Sequence, residues 1–265
     1  NQTVEVVALR GDYNYNKKNM IGIDDVYQTV LALANKEQRG YITPQEFNLF
    51  AEHAQMDIFR QYFYFLDRAR KSIPNNTGYA DTVEMVEEKI SMFEVTDQVV
   101  TISQTDGIVP LSSFQDFYRL TMVAFRHDQD QKPVQATEVS MKELTQYNNS
   151  TLIHSMSSKY PYYTRLLNAD IKFHPLEMLN EHGGCEALIS YVKRPKRPNW
   201  TYLMSGENAL YNSTAADHQD FELHHSEKEL LVVKILQLAG INIKDGSLVQ
   251  LATQEEVKKI QQENS

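Results

Sequence analysis

The hydrophobic pattern changes its period along the chain. From Ile23 the apolar residues Val26, Tyr27, Val30, Leu31 and Ala34 recur at three- and four-residue spacing. This predicts a first helix, opened by Asp24 or Asp25 and ended by Asn35 to Gly40. The same period resumes through Phe50, Ala54, Ile58, Tyr62, Phe65 and Ala69. Thr43 is placed as N-cap, Pro44 at N1 and Glu46 at N3, a capping box. Two helices so joined form a hairpin, and the stretch Gly40 to Lys71 organises the rest. Its aromatic residues Phe47, Phe50, Phe59, Tyr62, Phe63, Tyr64 and Phe65 fall on more than one side. One face is expected against its own domain; the other meets a second subunit or the core of a single one. Phe59, Tyr62 and Phe63 are the candidate interface residues here. After a turn-rich break at Ile73 to Tyr79, Val83, Val86, Ile90 and Phe93 predict a third helix over 82–93.

From Val95 the period falls to two. Gln98 to Ser103 is β-branched and followed by Thr105-Asp-Gly107, a hairpin signal. Short strands continue at Ile108 to Leu111, Tyr118 to Arg126 and Val134 to Val139. Ser140 with Glu143 caps a short helix to Tyr147, and Thr151 to Met156 is a possible extension of it. Tyr160 to Tyr163 and Ala169 to Phe173 read as edge strands. Ala187 to Val192 is a clear strand that runs into Lys193-Arg-Pro-Lys-Arg-Pro198, and Trp200 to Met204 resumes after it. The helical period then returns. Ser226 with Glu229 predicts another capping box, Leu230 to Leu238 supplies a broad apolar face, and Gly240 stands at C′. A last helix is expected from Asp245 through Leu248, Leu251, Val257 and Ile260.

The fold class predicted is α+β, with an N-terminal helical hairpin or bundle and C-terminal helices packed beside a β-rich middle module. The divisions are an extended arm over 1–22, a helical domain over 23–94, a β-rich module over 95–222 and C-terminal helices over 223–265. Val4 to Leu9 is a β-like run within the arm.

Composition adds limits. The 265 residues are 42% hydrophobic and 23% charged, an ordinary globular balance. No run of eighteen apolar residues predicts a membrane helix, and Asn1 to Arg10 lacks the pattern of a signal peptide. Cys185 is the single cysteine, which excludes intrachain disulfides and multi-cysteine zinc sites. Asn-x-Ser/Thr triplets begin at Asn1, Asn75, Asn148, Asn149, Asn199 and Asn212, and without a secretory signal they are read as chance. A formal net charge of −9 makes the chain a poor wrapper of nucleic acid. It suits a channel that DNA passes without sticking, because like charge repels the phosphates.

No catalytic constellation specifies a reaction: no Gly-rich phosphate loop, Gly-x-Ser-x-Gly elbow, His-Glu-x-x-His motif or calcium loop is present. His174, His182 and Cys185 form a loose set around Gly183-Gly184, and His224-His225 adjoins Glu222 and Glu227. Neither spacing matches a metal motif, so no metal or cofactor is expected. The one basic cluster is Lys193, Arg194, Lys196 and Arg197, with Trp200 just beyond. It reads as a contact for an acidic partner surface or as a solvated turn whose prolines stop strand pairing, with DNA phosphate contact behind both.

Three stretches resemble virion structural proteins of tailed phages, especially crAss-like phages. They are Asp24 to Ala34 with Gly40 to Phe47, then Ile189 to Trp200, and then Asp220 to Glu227 with Leu238 to Ile243. The resemblance implies a non-enzymatic head-to-tail connector or collar subunit in the virion neck. Such subunits close into rings, commonly of twelve copies, below the portal protein. They meet neighbouring neck or tail ring proteins and surround a DNA channel, with no membrane. Alternatives are a tail-tube or other virion ring protein, or a phage-encoded metal-dependent hydrolase using the His/Cys sets.

Overall fold

A computed structural model describes residues 20–36, 41–71, 77–126, 132–149, 160–166, 170–174, 176, 185–206 and 208–240. The Val4 to Leu9 run, the Thr151 to Met156 extension, His182 and the helix expected from Asp245 lie outside these residues. In chain order the elements begin with β1 (Met20–Ile21), α1 (Ile23–Lys36), α2 (Pro44–Lys71) and α3 (Thr77–Ser91). Next come β2 (Glu94–Thr101), β3 (Ile108–Val109), β4 (Phe117–Arg126), β5 (Val134–Gln135), β6 (Thr137–Glu138) and α4 (Met141–Asn149). The last are β7 (Tyr162–Arg165), β8 (Ile171–His174), β9 (Glu186–Lys193), β10 (Tyr202–Ser205), β11 (Asn208–Tyr211), β12 (Phe221–His224) and α5 (Lys228–Leu238). The protein is α+β, with helices at both ends flanking a strand-rich middle. Among the described residues no helix is long and apolar enough to cross a membrane.

The described residues divide into two compact units. One runs to Met92 and resumes at Pro195; the other is Phe93–Arg194. Residues 195–222, grouped with the β-rich module in the sequence reading, fold in the first unit. Their strands do not join the larger sheets: β12 pairs only with β1, and β10 only with β11.

In the first unit, α2 is the central element. Its start is the predicted capping box. Thr43 Oγ1 accepts the Glu46 N–H at 3.3 Å, and a Glu46 carboxylate oxygen accepts the Thr43 N–H at 3.0 Å. The Thr43 hydroxyl, which donates to the same carboxylate at 2.7 Å, and then the Thr43 N–H hold the Glu46 carboxyl below its ordinary pKa. Phe47, Ala51, Ala54, Ile58, Phe59, Tyr62, Phe63 and Leu66 are buried along the helix. The helix packs with α3, α5 and β12, and the Phe47 ring lies 4.6 Å from that of Tyr27 on α1. Ion pairs from Lys228 to Asp25 and from Lys234 to Asp57 tie α5 to α1 and α2.

The helix α3 starts at Thr77, ahead of the predicted Thr82. The capping box predicted at Ser226 and Glu229 does not form. Ser226 lies inside a short 3-10 turn, His225–Glu227, and the His224 ring nitrogen accepts its N–H at 3.4 Å. The N-cap of α5 is Glu227, one residue later, with no side-chain cap bond. Gly240 ends α5 as expected, at φ +74° with its N–H bonded to the Gln237 carbonyl at 3.0 Å.

In the second unit one four-stranded sheet has the order β2-β9-β4-β5 and the other β3-β8-β7-β6. Ala187, Leu188, Ile189, Ser190, Tyr191 and Val192 are all buried, as an inner strand between two neighbours requires. Both sheets feed one core that contains Val123, Phe125, Tyr163, Ile171, Phe173 and Ile189. The Thr105-Asp-Gly107 signal marks a tight turn, with Gly107 at φ +69° and its N–H on the Ser103 carbonyl at 2.8 Å. It does not make a hairpin: β2 pairs with β9, whereas β3 pairs with β8. The strands β7 and β8, read as edges, are the two inner strands of their sheet. Tyr163, Thr164, Ile171 and Phe173 put buried side chains on them, and that burial explains the position. Ser140 and Glu143 form the predicted box ahead of α4, at 2.8 and 3.2 Å.

Candidate functional site

The candidate site is built on the segment Pro195–Tyr211 of the first unit. It begins with the basic turn. Pro195 and Pro198 are buried while Lys196 and Arg197 point to solvent. The backbone of this turn is held by polar side chains from two other elements. Gln55 of α2, 1% exposed, donates its amide N–H to the Lys196 carbonyl at 2.7 Å and accepts the Glu222 N–H at 3.0 Å. The buried Glu222 carboxylate of β12 in turn accepts the Lys196 N–H at 2.8 Å. Both main-chain groups of Lys196 are therefore satisfied from below, and its ammonium is left outside. Buried polar groups with complete partners fix a unique backbone.

One helical turn pair earlier on α2, Asn48 repeats the device. It accepts the Trp200 N–H at 2.8 Å and donates to the Trp200 carbonyl at 3.1 Å and to Asn199 Oδ1 at 3.0 Å. Asn48 and Gln55 are seven residues apart, so they lie on the same helix face. Between them Glu52 pairs with Arg197 at 2.9 Å. This last pair is largely exposed and adds little stability.

Trp200 is 2% exposed and ends the turn. Its indole N–H donates to Asp24 at 2.9 Å, and its ring lies 4.4 Å from the Tyr27 ring. Tyr202 and Tyr211 stack on it at 5.7 Å. They are a cross-strand pair at the base of the β10–β11 hairpin. Gly206, at φ +63°, supplies the left-handed residue that a two-residue hairpin loop needs.

Beyond this base the hairpin is apolar and open. Leu203 is 62% exposed, Met204 64% and Leu210 55%. Leu203 and Leu210 face each other across the strands, and Met204 faces Ala209. Exposed apolar side chains thus occupy both faces of a two-stranded ribbon. A lone ribbon is marginally stable in water; here its base is anchored by Trp200.

The other residues singled out in the sequence fall elsewhere. Phe59, Tyr62 and Phe63 are buried in the first unit, at 0%, 4% and 8% exposure. Their aromatic faces belong to its interior rather than to an outer surface, and of the aromatic stripe it is Tyr64 that is exposed. Tyr62 sits beside the Lys89–Glu227 ion pair, with Lys89 Nζ 6.0 Å from its ring centre. Burial, then the Glu227 charge, raises the Tyr62 pKa. Trp200 is likewise an anchor of the fold. Lys193 and Arg194 belong to the second unit, where their N–H groups bond to the Phe93 and Asp116 carbonyls at 2.8 and 2.6 Å.

Among the described residues no three His, Cys, Asp or Glu side chains gather as metal ligands. The Cys185 thiol is buried in the core of the second unit, and burial raises its pKa, which makes it a poor nucleophile. His174 Nε2 lies 3.1 Å from Thr164 Oγ1. His224 Nδ1 lies 2.9 Å from Ser226 Oγ. These are local structural contacts. The sequence does not single out the hairpin, Asn48 or Gln55, and it marks Glu222 only as a neighbour of His224-His225. Ser205-Gly206, between two short apolar runs, is the signal that points to the hairpin.

No protein-family model matches the chain, and no curated protein matches it.

Proposed function

We propose that this chain is a structural, non-enzymatic subunit of a tailed-phage virion that assembles into a closed ring at the neck, below the portal and around the DNA channel. The observation that carries the reading is the pinned basic turn with its open apolar hairpin. A catalytic site concentrates polar groups in a concavity. This element instead presents cationic and apolar side chains outward from a rigid base, as an assembly contact does. The resemblance of three stretches to tailed-phage virion structural proteins, which implies a neck component, supplies the setting. Two of them, Ile189 to Trp200 and Asp220 to Glu227, include the turn and Glu222, which clamps it. Net charge −9 suits a ring that DNA crosses without adhering. Ring closure requires two different faces of each subunit to meet.

Negative-stain electron microscopy of the purified full chain, alone and with the portal protein of the same virus, tests this. Closed rings in either sample are expected. Isolated particles of single-subunit size in both would contradict the ring.

A further inference from the structure

The partner of this element follows from its chemistry. It carries Lys196, exposed to solvent, and Arg197, which pairs at the surface with Glu52, beside an apolar tip of Leu203, Met204 and Leu210. A matching surface has an exposed apolar centre flanked by carboxylates. The outward stripe of α3 in the same unit has that composition. Met85 is 57% exposed, and Glu84, Glu87 and Glu88 beside it are exposed as well. Residues 84, 85 and 88 are neighbours on one helix face by their three- and four-residue spacing. Lys89 does not neutralise this stripe, because its ammonium is turned inward to Glu227.

We propose that the basic turn and hairpin of one copy dock on the Glu84–Met85–Glu88 face of α3 in the next copy. The inference rests on the ring reading and names the contact that would close it. Complementary charge and exposed apolar groups on both surfaces favour this pairing. The two surfaces are different parts of the chain. Used head to tail, the contact is heterologous, and repeating it builds a ring where the rotation between copies closes. Complementary charges set register and partner choice in such contacts.

The test uses charge exchange in the full chain. One variant carries Lys196→Glu and Arg197→Glu, the other Glu84→Lys and Glu88→Lys. Emission of the single tryptophan, Trp200, reports that each is folded. Sedimentation velocity at low salt measures assembly. Each variant alone is expected to need about tenfold more protein to assemble than the wild type. An equimolar mixture is expected to recover wild-type assembly, because each basic surface then meets an acidic one. If the wild type assembles and the folded variants assemble equally well, or fail alone and in the mixture alike, the proposed contact is overturned while the ring stands. If the wild type stays a monomer at every concentration, alone and with the portal protein, the ring reading and the contact fall together.

Discussion

Gln55 and Glu222 meet inside the first unit, the amide of one accepting the main-chain N–H of the other at 3.0 Å. Gln55 and the Glu222 carboxylate together take both main-chain groups of Lys196. Two side chains separated by most of the chain thus hold a basic turn that would otherwise be an ordinary proline-rich loop.

Replacing Gln55 by Leu removes both amide bonds and leaves two main-chain groups without partners. Orphaned buried polar groups cost about 1–3 kcal/mol each. A lower urea midpoint, with no change of slope, is expected. A variant as stable as the wild type would show that the turn is not held in this way.

Trp200→Phe keeps a ring between Tyr202 and Tyr211 but loses the indole bond to Asp24. A loss of about 1–2 kcal/mol is expected, because the partly buried Asp24 carboxylate then keeps only the long bond from Gln28, at 3.4 Å. Trp200→Ala also opens a cavity and is expected to cost about 3–5 kcal/mol. Chemical denaturation followed by far-UV circular dichroism separates the two.

Thr43→Ala breaks the capping box of α2 and is expected to cost about 1 kcal/mol, with Thr43→Ser nearly neutral. The Glu46 carboxyl has its folded pKa below the unfolded value. Its contribution is present above the unfolded pKa and is lost as pH falls through the folded one. The gap between wild type and Thr43→Ala is therefore expected to narrow in acid, measured by denaturation across pH.

His174 has its pKa lowered from the ordinary 6.5 by burial, and then by the nearby Lys172 charge. The unfolded state binds the proton more readily, so stability is full above the unfolded pKa and falls as pH drops toward the folded one. His174→Gln is expected to flatten that part of the stability profile. An unchanged slope would contradict the shift.

Much of the fold was legible because it rests on local signals. The Thr43/Glu46 and Ser140/Glu143 boxes, the strand at Ala187 to Val192 and the stop at Gly240 all follow from residues a few positions apart. What was not legible depends on distant partners. Tyr160 to Tyr163 reads as an edge until the neighbouring strands are known. The Thr105-Asp-Gly107 turn closes as its residues require, but its strands then join different sheets. Ser226 gave way as N-cap when the His224 ring took its N–H. The candidate site shows the same split. Lys196 and Arg197 stand out as charge, whereas Asn48, Gln55 and Glu222 gain their roles only when α2 and β12 flank the turn. The aromatic stripe of α2 announced burial, but sequence spacing does not say whether a subunit's own core or a neighbour supplies it.

The hairpin carries the next expectation. Leu203→Ser with Leu210→Ser alters side chains that are mostly in water, so stability should change by no more than about 0.5 kcal/mol per site. Assembly should weaken all the same. Thermal denaturation and sedimentation, run on the same samples, check both halves.

The central claim is that this chain works by assembling. Its most direct test is the absolute mass of the 265-residue chain by light scattering, alone and mixed with the portal protein that the proposed role requires. The account predicts a discrete free particle whose mass is a multiple of 30.6 kDa, or a complex that exceeds the portal assembly by such a multiple. A single 30.6 kDa species in both samples at every concentration would contradict it.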